Sequence, residues 1–217
     1  MQKYPFRGIE SNGFLLKGTI SQEKAIELAG NDFRFAQSES PNHVRCALLV
    51  VRIEQLTTWG IPIIRWTYPE AVWMLELSDN SFIAIKAHTP GYMLGALSLM
   101  DKYNTDIGSI TLSKREDSAT ISVSSKQSIF TANLMGSAQG DTKLITNLWT
   151  RNHKGNYYRI PWGANEPASA YRMHCNVEDS SLGEKVFGKG IVWEDEAIYF
   201  IERVHQCAPA YSESPMI

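Results

Sequence analysis

The chain has 217 residues, of which 21 are basic and 23 acidic, so its formal net charge is -2. This balance excludes a nucleic-acid binder of the usual basic kind, and the 43% share of apolar residues excludes a disordered acidic chain. A chain of this length can bury roughly 70% of its unfolded surface, so one core needs no disulfide or metal.

No stretch approaches the ~20 apolar residues of a membrane-spanning helix, and the first residues lack a secretory signal. The three cysteines are widely spaced, which is typical of reduced thiols. We expect a cytoplasmic protein with neither a nucleic acid nor a membrane as partner.

Most of the predicted elements are strands. The first clear one is an apolar, β-branched run over residues 47–53. A cluster of turn-forming residues at 78–81 separates two apolar runs and predicts a hairpin, in which Glu76 and Lys86 would face each other as a surface pair. Further strands are predicted at residues 61–65, 71–77, 82–86, 109–112, 119–124, 157–160, 172–177 and 197–201.

Helices are fewer, and each begins with a residue that can cap a helix. They are predicted at residues 22–29, 90–104, 142–149 and 182–187. Ser21 is the cap of the first helix and Gly30 follows its end, while Ser181 and Glu184 have the spacing of a capping box.

Many strands with a few helices predict an α+β fold that is mostly antiparallel β. A sheet of this size is large enough to curve or to close into a barrel, with the helices packed outside it. We expect one domain over residues 1–217, with loose ends at residues 1–13 and 208–217.

Three charged residues lie where the pattern predicts a core. Arg52 and Glu54 are two residues apart, so on a strand they share one face. Glu70 follows Tyr68 at the start of a strand that contains Trp73. Their apolar flanks favour a cavity lined by a few polar groups. Two alternatives stay open: a solvated strand face, or a structural ion pair of Arg52 with one of the glutamates.

The same residues resemble a known family. Val51-Arg52-Ile53-Glu54, followed by Tyr68-Pro69-Glu70, resembles the pattern of acetoacetate decarboxylases, and the segments around residues 147–151 and 157–161 also resemble that family. The resemblance extends over roughly residues 14–205. It implies a cone-shaped antiparallel β-barrel in which Glu54 and Glu70 face a closed cavity.

The sequence departs from this family at its reactive lysines. In the decarboxylases a P-K-K segment follows a helix, and one of its lysines forms a Schiff base with the ketone. Thr105 and Asp106 stand at those positions here, and neither can form an imine. Lys102 lies about one helical turn earlier and is the remaining candidate amine, unless it is a solvated cation at the helix end.

Together these features predict a protein that binds a small oxygenated organic acid or ketone in the barrel cavity. Arg52 would hold a carboxylate with its two-pronged guanidinium, and Glu54 and Glu70 would form an acid/base pair. The other predicted binding residues are Tyr68, Trp73 and Lys102.

Whether the chain is an enzyme stays open. An enzyme with this site would be a lyase-type acid/base catalyst that acts on a small keto or hydroxy acid without a lysine imine. The alternative is a non-catalytic carrier or sensor that uses the same cavity. We expect no cofactor and no metal site, and the resemblance implies a homo-oligomer.

Overall fold

The computed structural model describes residues 6–58, 61–93, 104–140, 147–151, 154–161, 170–207 and 211–212. These ranges contain two short helices, Gln22–Ala29 and Ser181–Phe187, and a long series of strands. In chain order the elements are β1 (Phe6–Ser21), α1 (Gln22–Ala29), β2 (His43–Thr58), β3 (Ile61–Glu76), β4 (Phe82–Thr89), β5 (Thr105–Ile107), β6 (Ser109–Lys114), β7 (Ser118–Ser125), β8 (Ser128–Gly140), β9 (Asn147–Arg151), β10 (Tyr157–Pro161), β11 (Ala170–Asp179), α2 (Ser181–Phe187), β12 (Val192–Cys207) and β13 (Tyr211–Ser212). None of the helices in these ranges has the length and apolar character needed to cross a bilayer.

All of these strands belong to one 13-stranded sheet. Its order is β13-β10-β9-β4-β3-β2-β1-β12-β11-β8-β7-β6, and β5 pairs with β4 beside this path. Most neighbours are antiparallel, but β4 is parallel to both β5 and β9. The expected α+β fold with a mostly antiparallel sheet is therefore confirmed.

The expected closure of the sheet into a barrel is wrong. Within the described ranges the path of hydrogen-bonded strands ends at β13 on one side and at β6 on the other, although β6 approaches β3 and β4. A closed barrel requires its first and last strands to pair. Here the outer edge of β4 is occupied by β9 at residues 82–84 and by β5 at residues 87–89, so β6 has no edge of β4 to pair with.

The sheet buries both of its faces. We call one the helix face, because its core includes residues of α1 and α2, and the other the opposite face. The central strand β2 contributes to both, since Val50 packs in the helix-face core and Val51 in the opposite-face core. This explains the continuous apolar run of β2, because a strand covered on both faces shows no alternation of apolar and polar residues.

The helix-face core is filled with aromatic rings. Trp73 is fully buried and lies edge-on to Phe130, Phe187 and Trp193, with ring centroids 5.6, 5.8 and 6.3 Å away. Such aromatic pairs contribute roughly 0.5–1.5 kcal/mol each beyond the burial of their area. Trp73 therefore packs α2 against the sheet through Phe187.

The predicted helix α1 is confirmed. The helix α2 is also found, but its N-cap residue is not the predicted one. The Ser21 Oγ accepts a hydrogen bond from the Lys24 backbone N at 3.2 Å, and α1 ends at Gly30, whose φ is 88°. The predicted cap Ser181 lies inside α2, after the N-cap residue Ser180. Its Oγ instead donates to the Ile129 carbonyl at 2.9 Å and accepts from the Ile129 N at 3.0 Å, so it ties α2 to β8.

Two other predicted helices fall partly outside the described ranges. Residues 91–93 are helical, and residues 94–103 lie beyond the described part. The helix predicted over 142–149 is wrong for residues 147–149, which belong to β9, while 141–146 are not described. Leu148 packs in the opposite-face core and Trp149 against the helix-face core, so consecutive side chains alternate between faces as on a strand.

Two further expectations are corrected by the strand register. β1 begins at Phe6 and pairs with β2 and β12, so residues 6–13 are not a loose end. Glu76 and Lys86 do not face each other, because Glu76 is close to the turn at residues 78–81 whereas Lys86 lies further along β4. Glu76 lies opposite Phe82 and Lys86 opposite Trp73.

Candidate functional site

Arg52 and Glu54 form a surface ion pair at the end of the helix face. The Arg52 Nε lies 3.3 Å from the Glu54 Oε1, and that carboxylate also accepts a hydrogen bond from the Ser11 Oγ at 2.7 Å. The side chains are 55% and 36% exposed. Both groups are therefore hydrated rather than enclosed in a cavity.

Glu70 lies on the other side of the sheet. It is opposite Val51 in the register of β2 and β3, whereas Arg52 is opposite Pro69. Residues that face each other across two strands share a face, and successive residues alternate, so Glu70 is on the opposite face with Val51. The expected convergence of Arg52, Glu54 and Glu70 is thus not found.

The remaining predicted site residues also divide between the two faces. Tyr68 is opposite Ile53 and is 4% exposed in the opposite-face core, so it shares a face with Glu70. Trp73 belongs to the helix-face core, and Lys102 lies outside the described residues. The structure therefore brings Tyr68 together with Glu70 and Arg52 together with Glu54. The chemical roles assigned to these residues from the sequence stay predictions.

The opposite face carries a buried ion pair that the sequence analysis missed. Glu10 of β1 lies between Ile53 of β2 and Arg203 of β12, and its Oε2 accepts a hydrogen bond from the Arg203 Nε. The two side chains are 0% and 1% exposed. Ile53 is in turn opposite Tyr68, so the ion pair and Tyr68 lie in one row across four adjacent strands.

The available signal for this pair was weak. Glu10 falls in the segment expected to be a loose end, and Arg203 lies beyond the strand predicted at residues 197–201. Only their positions in two strands that pair across more than 190 residues bring them together. The Arg203 guanidinium also lies 5.3 Å from the centroid of the Phe200 ring, which packs on the same face.

Thr105 and Asp106, which are expected from the sequence to stand at the positions of the decarboxylase lysines, lie in β5. Thr105 is opposite Ala87 and Asp106 is opposite His88, so the two residues face different sides of the sheet. Ala87 belongs to the opposite-face core, which places Thr105 on the face of Tyr68 and Glu70. The Lys86 Nζ contacts the Asp106 Oδ2 at 3.1 Å and donates to the Asn104 Oδ1 at 2.7 Å, and these contacts hold β5 in place.

His88 is a buried, neutral residue on the helix face. It is 2% exposed, and its Nδ1 accepts a hydrogen bond from the Trp73 Nε1 at 3.0 Å. Burial lowers the pKa of His88 to about 4; the nearby Asp106 acts in the other direction, and Lys86 and Lys185 add to the lowering. Burial would raise the pKa of Asp106, but the hydrogen bond and charge of Lys86 outweigh it and lower that pKa. Both effects favour a neutral imidazole beside an ionised carboxylate near pH 7.

The cysteine thiols, the possible metal ligands and the surface depression found among the described residues add nothing to this site. Cys46 and Cys175 are buried thiols, and burial raises the pKa of both, that of Cys175 to about 11. No group of three or more His, Cys, Asp or Glu side chains that could hold a metal is found in the described ranges. A surface depression of about 600 Å³ lies beside α2, away from the buried ion pair; it is lined by Lys126, Gln127, Ser128, Ser181, Glu184, Lys185 and Lys189.

Comparison with known proteins identifies the fold. No family model matches the sequence, and no curated protein matches it. Among solved structures, an acetoacetate decarboxylase-like enzyme from Sphingomonas wittichii RW1 is 11% identical with a TM-score of 0.75, covering 99% of this chain and 95% of that one. The acetoacetate decarboxylase of Legionella pneumophila is 11% identical with a TM-score of 0.64, covering 97% and 91%. The enduracididine biosynthesis enzyme MppR complexed with pyruvate is 8% identical with a TM-score of 0.68, covering 99% and 93%.

These likenesses extend over nearly the whole chain, whereas the sequence identities are low. The resemblance recognised in the sequence is therefore confirmed for the fold, and the chain has the fold of the acetoacetate decarboxylase-like enzymes.

Proposed function

We propose that this protein binds a small oxygenated organic acid or ketone against the opposite face of its sheet and acts on it without a lysine imine. One observation carries the proposal: the Glu10–Arg203 pair, Tyr68 and Glu70 share a face whose core is largely apolar. Ionised groups are costly to place among apolar side chains. An apolar surface with a few convergent polar groups is the usual composition of a small-molecule site.

The proposed roles follow from the position of each group. Arg203 is a buried cation on this face and would orient a ligand carboxylate. Arg52 is solvated and lies on the other face, so it cannot bind a ligand beside Glu70. Glu70 is half-buried and would move a proton to or from the ligand. Tyr68 would contribute its ring as a wall and its hydroxyl as a hydrogen-bonding group.

The similar structures support the ligand class. One is described as an acetoacetate decarboxylase and another as a biosynthetic enzyme complexed with pyruvate, so small keto acids are associated with this fold. Thr105 and Asp106 at the positions of the family's lysines argue against transfer of the imine mechanism to this chain.

A non-catalytic carrier or sensor is the second candidate, and the same replacement of lysines favours it. The two functions differ in turnover, not in binding. An enzyme consumes the ligand that it binds, whereas a carrier releases it unchanged.

The test begins with the purified full chain. Native mass spectrometry identifies any co-purifying compound, and calorimetric titration with pyruvate measures binding. NMR of the ¹³C-labelled ligand then follows turnover. We expect binding, and no added mass after borohydride treatment, because the described part of the site offers no imine lysine.

Glu70→Gln separates the two candidates. For an enzyme, this variant should lose turnover and keep ligand affinity within about threefold, since the amide retains the shape but cannot transfer the proton. Glu196 is an exposed carboxylate on β12, so Glu196→Gln is the matched control. Its turnover and ligand affinity should equal those of the wild type. Binding without turnover in all three proteins would identify a carrier. Absence of binding to small keto acids would refute the proposal.

A further inference from the structure

Two threonine hydroxyls on the opposite face are buried without a hydrogen-bond partner among the described residues. They belong to Thr89, at the end of β4, and Thr105, at the start of β5. Thr89 is fully buried, and the Thr105 Oγ1 is inaccessible to solvent. A hydroxyl buried in this way costs about 1–3 kcal/mol, so native structures usually give it a partner.

The two hydroxyls are neighbours on one face. Thr105 is opposite Ala87, and Thr89 lies two residues beyond Ala87 on the same strand, so all three side chains point to the opposite face. The Cα atoms of positions related in this way lie roughly 7–8 Å apart. Both side chains extend to the same side of the sheet, where one ligand atom can accept a hydrogen bond from each hydroxyl.

The backbone around both residues is firmly held. The Ala87 N donates to the Asn104 carbonyl at 2.9 Å, and the Gly108 N donates to the Thr89 carbonyl at 2.9 Å. The Ser125 Oγ donates to the Ile107 carbonyl at 2.9 Å and fixes the far end of β5. The backbone that carries both hydroxyls is therefore ordered before a ligand arrives, which lowers the entropic cost of binding. Because neither hydroxyl has accessible surface, a ligand oxygen reaches them only when neighbouring side chains move aside.

We propose that the hydroxyls of Thr89 and Thr105 form a subsite that donates two hydrogen bonds to the carbonyl oxygen of a bound keto compound. This inference rests on the proposed function and specifies where the ligand's reactive oxygen lies.

The charge of the surroundings selects a carbonyl over a carboxylate. Ala71 is opposite His88 in the antiparallel pair of β3 and β4. Glu70 precedes Ala71 and Thr89 follows His88, so these two residues are neighbours on the opposite face. The negative charge of Glu70 disfavours a second carboxylate beside it, whereas a neutral carbonyl oxygen accepts from two hydroxyls at no such cost. The carboxylate of a keto acid would then point toward Arg203.

Calorimetric titration of the full chain with pyruvate and with propionate tests the subsite. Propionate keeps the carboxylate and lacks the keto oxygen. Thr105→Val and Thr89→Val should each weaken pyruvate binding at least about fivefold and leave propionate binding unchanged, since valine keeps the shape and loses the donor. Thr105→Ser should retain pyruvate binding, and Thr111→Val on the exposed side of β6 is the matched control.

Thermal unfolding supplies a second readout that requires no ligand. Each valine variant should raise the Tm by about 2–4 °C, because it removes a buried hydroxyl that has no partner within the fold. A lower Tm would mean that the hydroxyls are satisfied inside the protein, and it would overturn the inference.

The two binding outcomes separate this inference from the proposed function. If the wild type binds pyruvate and both valine variants bind it equally well, the subsite is refuted and the proposed function stands. If the wild type binds neither pyruvate nor propionate, the proposed function fails and the subsite fails with it.

Discussion

Arg52 and Arg203 belong to ion pairs of opposite character. Arg52 contacts Glu54 in solvent, where hydration and side-chain entropy offset most of the attraction. Arg203 contacts Glu10 with both side chains buried, so neither charge retains the hydration that it has in the unfolded chain. The two arginines should therefore respond very differently to the same substitution.

We expect Arg203→Met to lower the free energy of unfolding by about 3–5 kcal/mol, because it removes the guanidinium that contacts the buried Glu10 carboxylate. Arg52→Met should lower it by less than about 1 kcal/mol. Urea denaturation at pH 7 measures both values. In the double variant Glu10→Met/Arg203→Met much of the loss should be recovered, since both members of the buried ion pair are replaced by apolar side chains. Equal effects of the two single substitutions would contradict the assignment of burial.

His88 makes the free energy of unfolding depend on pH, and the direction of this dependence follows from its lowered pKa. Its pKa is lowered from the ordinary value of 6.5 to about 4, so between these pH values the unfolded chain binds a proton that the folded chain does not. Stability is complete above pH 6.5 and falls as the pH falls toward 4, with a slope of at most about 1.4 kcal/mol per pH unit. The lowered pKa of Asp106 acts in the same direction, but only below its ordinary value of 3.8.

The free energy of unfolding of His88→Asn should show a smaller difference between pH 5 and pH 7 than that of the wild type. Asparagine can accept the Trp73 hydrogen bond but does not titrate in this range. Urea denaturation at the two pH values measures the difference. An unchanged difference would show that another group causes the pH dependence.

At the scale of elements, the irregularity of β1 shapes the candidate site. The register with β2 shifts between Ser11 and Phe14, and Asn12 has a φ of 47°. This shift brings Gly13 against the Phe200 ring, where a Cβ would lie only 1.9 Å from the ring's Cζ. The bulge thus lets Phe200 and Arg203 pack over β1 on the opposite face.

Gly13→Ala should lower the free energy of unfolding by about 1–3 kcal/mol, because the added methyl group overlaps a ring in a packed core. The combination with Phe200→Leu should cost less than the sum of the single substitutions, since the smaller side chain provides room. Urea denaturation of the four proteins of this cycle measures the coupling. Strict additivity would contradict the close approach of Gly13 and Phe200.

Elements that depend on local signals could be predicted from the sequence. The hairpin at residues 78–81 and the helix between Ser21 and Gly30 are found as expected, because turn residues and caps act within a few positions. Apolar spacing predicts a helix that includes residues 147–149, but these residues form a strand. Their partners, β4 and β10, stabilise the strand in a way that local spacing does not reveal.

At the scale of the molecule, β4 decides how the candidate site is assembled. It is antiparallel to β3 and parallel to both β5 and β9 along its outer edge. Thr105 thereby joins the face that holds Glu70, and the edge of β4 is closed to β6. The proposed site thus combines residues from β1, β3, β4, β5 and β12, which are distant in the chain and adjacent only in the sheet.

The sequence by itself determined the fold class and most strand positions, because composition and periodicity are local properties. Only the tertiary structure decided which charged residues meet. The register of β2 and β3 pairs Glu70 with Val51 and not with Arg52, so Glu70 lies on the opposite face while Arg52 and Glu54 lie on the helix face. The pairing of β1 with β12 buries Glu10 against Arg203. Strand register is set by the packing of both faces of the whole sheet, and a shift of a single residue exchanges the faces of every side chain.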